Sequence, residues 1–192
     1  MEQLIKDWAP NVWKYRTKFV AQCENTLQMF LIAGAISFLL GLIFGVIVTV
    51  TKEGGIRQNK FVYRLIDAII NVLRSVPFII LLIFLIPLTR ALVGTAIGVQ
   101  GAIVPLVFGT VPFFTRQVEA ALASVSPGKI EAARSMGSGT LGIIFRIYLH
   151  EAVPDLIRVT TITAISLIGL TTMAFSPIRA SIFVFSDPVF SF

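Results

Sequence analysis

The chain has 192 residues, of which 56% are hydrophobic and 14% charged, with a net charge of +6 and a mean hydropathy of +0.87. A water-soluble domain of this length cannot hide so much apolar surface, so the composition excludes the ordinary soluble classes and points to an all-α polytopic membrane protein. One cysteine, Cys23, excludes an internal disulfide, and a single histidine, His150, leaves no cysteine–histidine spacing for a metal site.

The first apolar run is longer than the core of a signal peptide, and no A-x-A-like site follows it, so a cleaved leader is not expected. Asn25 to Thr51 is free of charge. As a helix it reaches about 40 Å, enough to cross a hydrocarbon core of ~30 Å, and it reads as span one. Ala33, Ser37, Gly41 and Gly45 recur every four residues. They align as a stripe of small side chains that lets a second helix approach closely.

Lys60, Arg64, Asp67, Asn71 and Arg74 follow at helical spacing on one face, with Phe61, Leu65, Ile69 and Val72 on the other. Arg64–Asp67 and Asp67–Asn71 are within pairing reach along such a helix. The helix is expected to continue as span two, from near Ile69 to Thr89, with a kink at Pro77. Polar and ionisable residues at membrane depth are candidates for a pathway, which singles out Asn71 and Arg74; a solvated helix face is the plain alternative.

Ala91 to Thr115 is uncharged and reads as span three. Gly94 and Gly98 offer it a second small-residue contact, and Gln100 is its one amide, either a pathway residue or an interhelical hydrogen bond. Val159 to Ile178 reads as span four. Its Thr160, Thr163 and Ser166 lie about one turn apart and can bond their own backbone. Four spans result.

Residues 52–74 carry Lys52, Arg57, Lys60, Arg64 and Arg74, and residues 116–158 carry Arg116, Lys129, Arg134, Arg146 and Arg158. Only Arg90 lies between spans two and three. The basic loops are therefore expected in the cytoplasm and the N-terminus outside, although Lys6, Lys14, Arg16 and Lys18 sit before span one.

The segment from Ile130 to Arg158 is mixed in charge and broken by Gly137 and Gly139. Ser126-Pro127 is a helix-start signal, Gly137 a helix-stop signal, and Thr140 a candidate cap for a second helix carrying Leu141, Ile144, Phe145 and Tyr148. Glu131 and Arg134 are spaced to pair. A nucleic-acid-reading helix-turn-helix needs an exposed recognition helix on a soluble domain, so tethering between two spans argues against that partner. A structural re-entry loop and a docking element for another protein both remain.

Glu131-Ala132-Ala133, Gly137, Ile147 and Leu149 resemble the EAA loop of permease subunits of bacterial ATP-binding-cassette importers. That pattern is E-A-A, three residues, G, nine residues, then I-x-L-P. His150 replaces its final proline and Pro154 comes later, so the following helix is expected to bend elsewhere. Residues 60–174 are further similar to permeases of methionine importers.

The resemblance implies a multi-pass protein of the bacterial inner (plasma) membrane that takes part in ATP-driven amino-acid import, with methionine as cargo. It implies a homodimer in the bilayer, a separate ATP-binding-cassette ATPase subunit and an extracytoplasmic substrate-binding protein. No cofactor is implied, and the chain is not itself an enzyme: it has no G-x-x-x-x-G-K-[ST] loop, so ATP hydrolysis is assigned to the partner. Glu131, Ala132, Ala133, Arg134 and Gly137 would form the coupling helix seated in the ATPase, so Ala133→Asp is expected to weaken docking without unfolding the spans. The alternatives are a permease for another amino acid, a channel or scaffold that only binds a partner, and a non-transporting truncated protein.

The family has a fifth span. Here residues 1–174 form the permease domain, while residues 175–192 contain five of the sixteen phenylalanines and carry Asp187-Pro188. They read as an atypical tail from a shifted frame or a truncated product.

Overall fold

The computed structural model describes the backbone of residues 10–186 and the side chains of residues 17–174. Among the described residues there is no strand. The helices are α1 (Pro10–Thr51), α2 (Lys60–Ser75), α3 (Phe78–Phe84), α4 (Ile86–Val93), α5 (Gly98–Ala123), α6 (Pro127–Ser135), α7 (Thr140–Ile143), α8 (Leu149–Glu151) and α9 (Val153–Ser186). A π-helical turn, Ile144–Tyr148, joins α7 to α8.

Three helical stretches are long and apolar enough to cross a membrane: Thr17–Thr51, Gly98–Ala123 and Val153–Ala174. The fourth crossing expected from the sequence is not one kinked helix. Its residues form a pair, α2 and α3, whose axes turn through 104°, so the count is three continuous crossings, and four when the bent pair is taken as one. Val76 is extended (φ −85°, ψ 124°) because the ring of Pro77 disfavours helix at the residue before it. Asn59 starts α2 by accepting the backbone N–H groups of Phe61 and Val62 at 3.1 and 3.2 Å.

Span three also begins later than expected. Gly94 (φ +80°) closes α4, and Gly98 (φ +79°) opens α5. Both glycines serve backbone conformations closed to most L-residues, and neither lies on a helix contact.

The stripe on α1 does what its spacing indicated. A Cβ on Gly41 would lie 2.6 Å from the ring of Phe114, and one on Gly45 would lie 2.5 Å from Val118, both on α5. Met29, Ala33 and Ser37 are fully buried along the same line. In lipid, such dispersion contact is what holds helices together. Gly45→Val is therefore expected to destabilise the protein by about 1–3 kcal/mol through overpacking, read as a lower unfolding temperature in detergent. Gly169→Ala, on α9 with open space around it, should show no loss.

Two buried clusters result. One gathers Phe114, Val118, Leu122, Ala133, Ile143 and Tyr148 at the end of the molecule where the connecting loops lie. The other gathers Met29, Ala33, Leu82, Ala102, Leu106 and Leu167 further along the bundle. Hydroxyls inside the helices bond backward to carbonyls, Thr49 to Gly45 and Thr115 to Val111, both at 2.8 Å.

The bend expected after the loop falls at Ala152, just ahead of Pro154 in the first turn of α9. The α9 backbone stays helical to Ser186, past the expected end at Ile178. The side chains of residues 175–186 and all of residues 187–192 lie outside the described residues, and so does the reading of that stretch as an atypical tail. Lys6, Lys14 and the side chain of Arg16 lie outside them too.

Candidate functional site

The segment between α5 and α9 folds back as a short exposed helix. Pro127 occupies its first turn, while the Ser126 side chain makes no capping bond. At the other end Gly137 is left-handed (φ +80°). The N–H of Ser138 donates to the Ala133 carbonyl at 3.0 Å, and that of Gly137 to the Arg134 carbonyl at 2.9 Å. These two bonds satisfy carbonyls that a helix end would leave open. Thr140 is the first residue of α7 and not its cap, which is Gly139. The π turn changes the register, so the four residues expected to share a face are divided: Tyr148 is buried and Ile144 half-buried, while Leu141 and Phe145 are exposed.

Helix α6 is held at both ends. Lys129 donates to Glu151 on α8 at 2.5 Å. Arg134 does not pair with Glu131; its guanidinium donates to the Ile56 carbonyl at 2.7 Å, in the turn between α1 and α2. Nearby, the Ser124 hydroxyl donates to Asp155 of α9 at 2.7 Å. Lys129 holds the Glu151 carboxyl below the usual carboxylate range, so the pair is ionised at neutral pH and is lost as pH falls through that lowered value. Burial pushes the Tyr148 phenol up, partly opposed by the charge of Arg134.

The two alanines of the motif point in opposite directions. Ala133 is 3% exposed and packs in the cluster with Ile143 and Tyr148. Glu131, Ala132, Ser135 and Gly137 are exposed, and Met136 is 79% exposed. The face open to another protein is thus Glu131, Ala132, Ser135 and Met136. Ala133→Asp would place a charge in this chain's own core, which corrects the expectation that it would test docking alone.

The charged stripe of α2 meets α5. Arg116 makes ion pairs with Asp67 and with Glu119, the latter at 2.7 Å, and donates to the Asn71 side chain at 2.9 Å. Asn71 in turn donates to Asp67 at 3.0 Å, as its spacing indicated. Asp67 pairs with Arg116 in place of the expected Arg64. Asn71 therefore belongs to a helix-to-helix node.

Arg74 stands one turn further, at the bend. It lines a cavity of about 340 Å³ between the end of α2, α3, α5 and α9, together with Phe78, Thr110, Phe113, Thr163 and Ser166. Gln100 is exposed in the first turn of α5 and does not reach this cavity. The three pathway candidates are therefore separated: one in the node, one in the cavity, one at a helix end.

This arrangement has known counterparts. The family of binding-protein-dependent transport system inner membrane components matches residues 37–178, most of the described bundle and the whole of the α6 loop. The chain belongs to that family. Among its relatives, the D-methionine transport system permease protein MetI of Salmonella typhimurium is 48% identical over 149 residues, covering 78% of this chain and 69% of the relative. MetI of Escherichia coli K12 is 47% identical over the same shares. A solved structure of the MetNI methionine ABC transporter in an inward facing conformation superposes with a TM-score of 0.79 at 44% identity, covering 86% of this chain and 74% of that one.

Family membership makes the chain a multi-pass protein of the bacterial inner membrane and a permease component of ABC transport. Sequence reasoning missed Arg116, whose partners on α2 lie 45 and 49 residues away, beyond any local spacing. It also missed Met136, since nothing short of the folded loop separates an outward Met136 from an inward Ala133.

Proposed function

We propose that the chain is the membrane permease subunit of an ATP-driven methionine importer. The observation that carries this reading is the α6 loop, an exposed helical face fastened at both ends to the bundle, in a chain nearly half identical to D-methionine permeases. The basic loops face the cytoplasm, as the positive-inside rule requires. There the exposed face of α6, Glu131, Ala132, Ser135 and Met136, docks on a separate ATP-binding-cassette subunit that hydrolyses ATP. Two copies of the chain enclose the path, and an extracytoplasmic binding protein delivers the amino acid. Closure of the ATPases on ATP draws the docked helices together and turns the path outward; hydrolysis releases them and the path opens inward.

The test is uptake of radiolabelled methionine by proteoliposomes holding the chain, its ATPase and its binding protein. ATP-dependent accumulation, suppressed by unlabelled methionine and not by other amino acids, is the expected result. ATPase binding without uptake would make the chain a scaffold. Suppression by a different amino acid would reassign the cargo.

A further inference from the structure

We propose that the cavity at the α2–α3 bend is a transit site that holds the amino acid partway across the membrane, its carboxylate on Arg74 and its ammonium against the hydroxyls of α5 and α9. This rests on the permease reading and extends it from docking to cargo.

Depth comes first. Thr110 lies near the middle of α5, between Gly98 and Ala123, and a helix rises about 1.5 Å per residue, so it sits roughly 18 Å from either end. Thr163 and Ser166 lie well inside the apolar stretch Val153–Ala174. The 104° break at Val76-Pro77 forms one wall at this level, the kind of interrupted helix at which secondary transporters hold their solutes.

Charge comes second. Asp67, the acid on Arg74's own helix stripe, is engaged by Arg116. Arg74 has no acidic partner among the described residues. Arg74 is exposed at the inner end of α2, on the rim of the same cavity, and a guanidinium with no acid beside it is free to take an anion; a planar carboxylate fits its fork of donors.

The hydroxyls come third. Thr110 is 2% exposed and its oxygen has no hydrogen-bond partner among the described residues, whereas Thr115, five residues on, is satisfied by its own helix. An unpaired buried hydroxyl is unfavourable unless something else bonds it. Thr163 and Ser166 donate to the carbonyls of Val159 and Ile162 at 2.8 and 3.0 Å. That leaves their oxygen lone pairs free to accept from an ammonium. Phe78, Phe113 and Leu170 supply an apolar wall for a side chain.

A second cavity of about 290 Å³, between α1, α2 and α5, shows what is special in this one. It is lined by Leu40, Phe44, Ile66 and Val107 among other apolar residues and carries no charge, so it suits lipid tails and offers nothing to a zwitterion. The first cavity, at about 340 Å³, falls at the small end of the ~300–1,000 Å³ typical of small-molecule sites.

The experiment uses the complete transporter in proteoliposomes, with methionine and its decarboxylated amine as competing solutes. The wild type should take up methionine and reject the amine. Arg74→Gln should lower methionine uptake by about ten- to a hundredfold and erase the preference over the amine. Arg74→Lys should keep part of both, and Thr110→Val should weaken uptake without changing the preference. Arg90→Gln, at α4 and away from the cavity, should match the wild type. Unchanged uptake and preference in Arg74→Gln would overturn the site while leaving the permease reading intact. Failure of both Arg74 variants to assemble with the ATPase would overturn it in favour of a structural arginine. Wild-type vesicles without ATP-dependent uptake would remove both readings.

Discussion

Arg116→Met is expected to lower the stability of the bundle by about 3 kcal/mol, near the bottom of the range for opening a buried ion pair. Removing the guanidinium leaves two carboxylates, Asp67 and Glu119, facing each other with no cation between them. Their side chains are 28% and 17% exposed, so water screens them only in part. Asn71 loses an acceptor role at the same time. The triple change Arg116→Met, Asp67→Leu, Glu119→Met removes all three charges at once and should recover much of the loss, since the damage comes from orphaned charge and not from lost contact area. Thermal unfolding in detergent separates the cases. A single variant as stable as the wild type would show that the node carries no load.

Met136→Asp is expected to weaken binding of the ATPase subunit by about thirtyfold, the loss associated with a central interface residue. Met136 is 79% exposed just past the end of α6 and buries little within its own chain, so the permease itself should fold as before. Ala133→Asp offers the instructive contrast. It strikes the cluster of Ile143 and Tyr148, so it should lower the unfolding temperature of the isolated chain before any partner is added. Pull-down of the ATPase together with a melting curve distinguishes the two. Full ATPase binding by Met136→Asp would move the docking surface elsewhere.

Much of the bundle was legible because lipid imposes long apolar runs. Asn25 to Thr51 announced α1, and the four-residue repeat of Ala33, Ser37, Gly41 and Gly45 announced the face that receives α5. Gly137 announced the end of α6, since few other residues accept a left-handed turn. The break at Pro77 was legible as a perturbation but not as a right-angle turn. Its size depends on where α3 can pack, and Phe78 packs so tightly against Gly109 of α5 that a Cβ there would lie 3.0 Å away. Arg116 was unreadable for a related reason: local spacing offered Asp67 a nearby Arg64, and the fold supplied a better-placed cation from another helix. Likewise the neighbouring alanines 132 and 133 are chemically identical, and only the return of the chain onto α5 tells them apart.

The anchorage of α6 has a mechanical consequence. Arg134 ties it to the turn that joins α1 and α2, and Lys129 ties it to the step that leads into α9. Both contacts lead out of the loop. They connect it to the ends of α1 and α9, and both of these lie against α5. The extended elbow of Val76 and Pro77 interrupts the neighbouring helix pair beside Arg74, so the cavity lies next to the one joint in that pair that is not continuous helix.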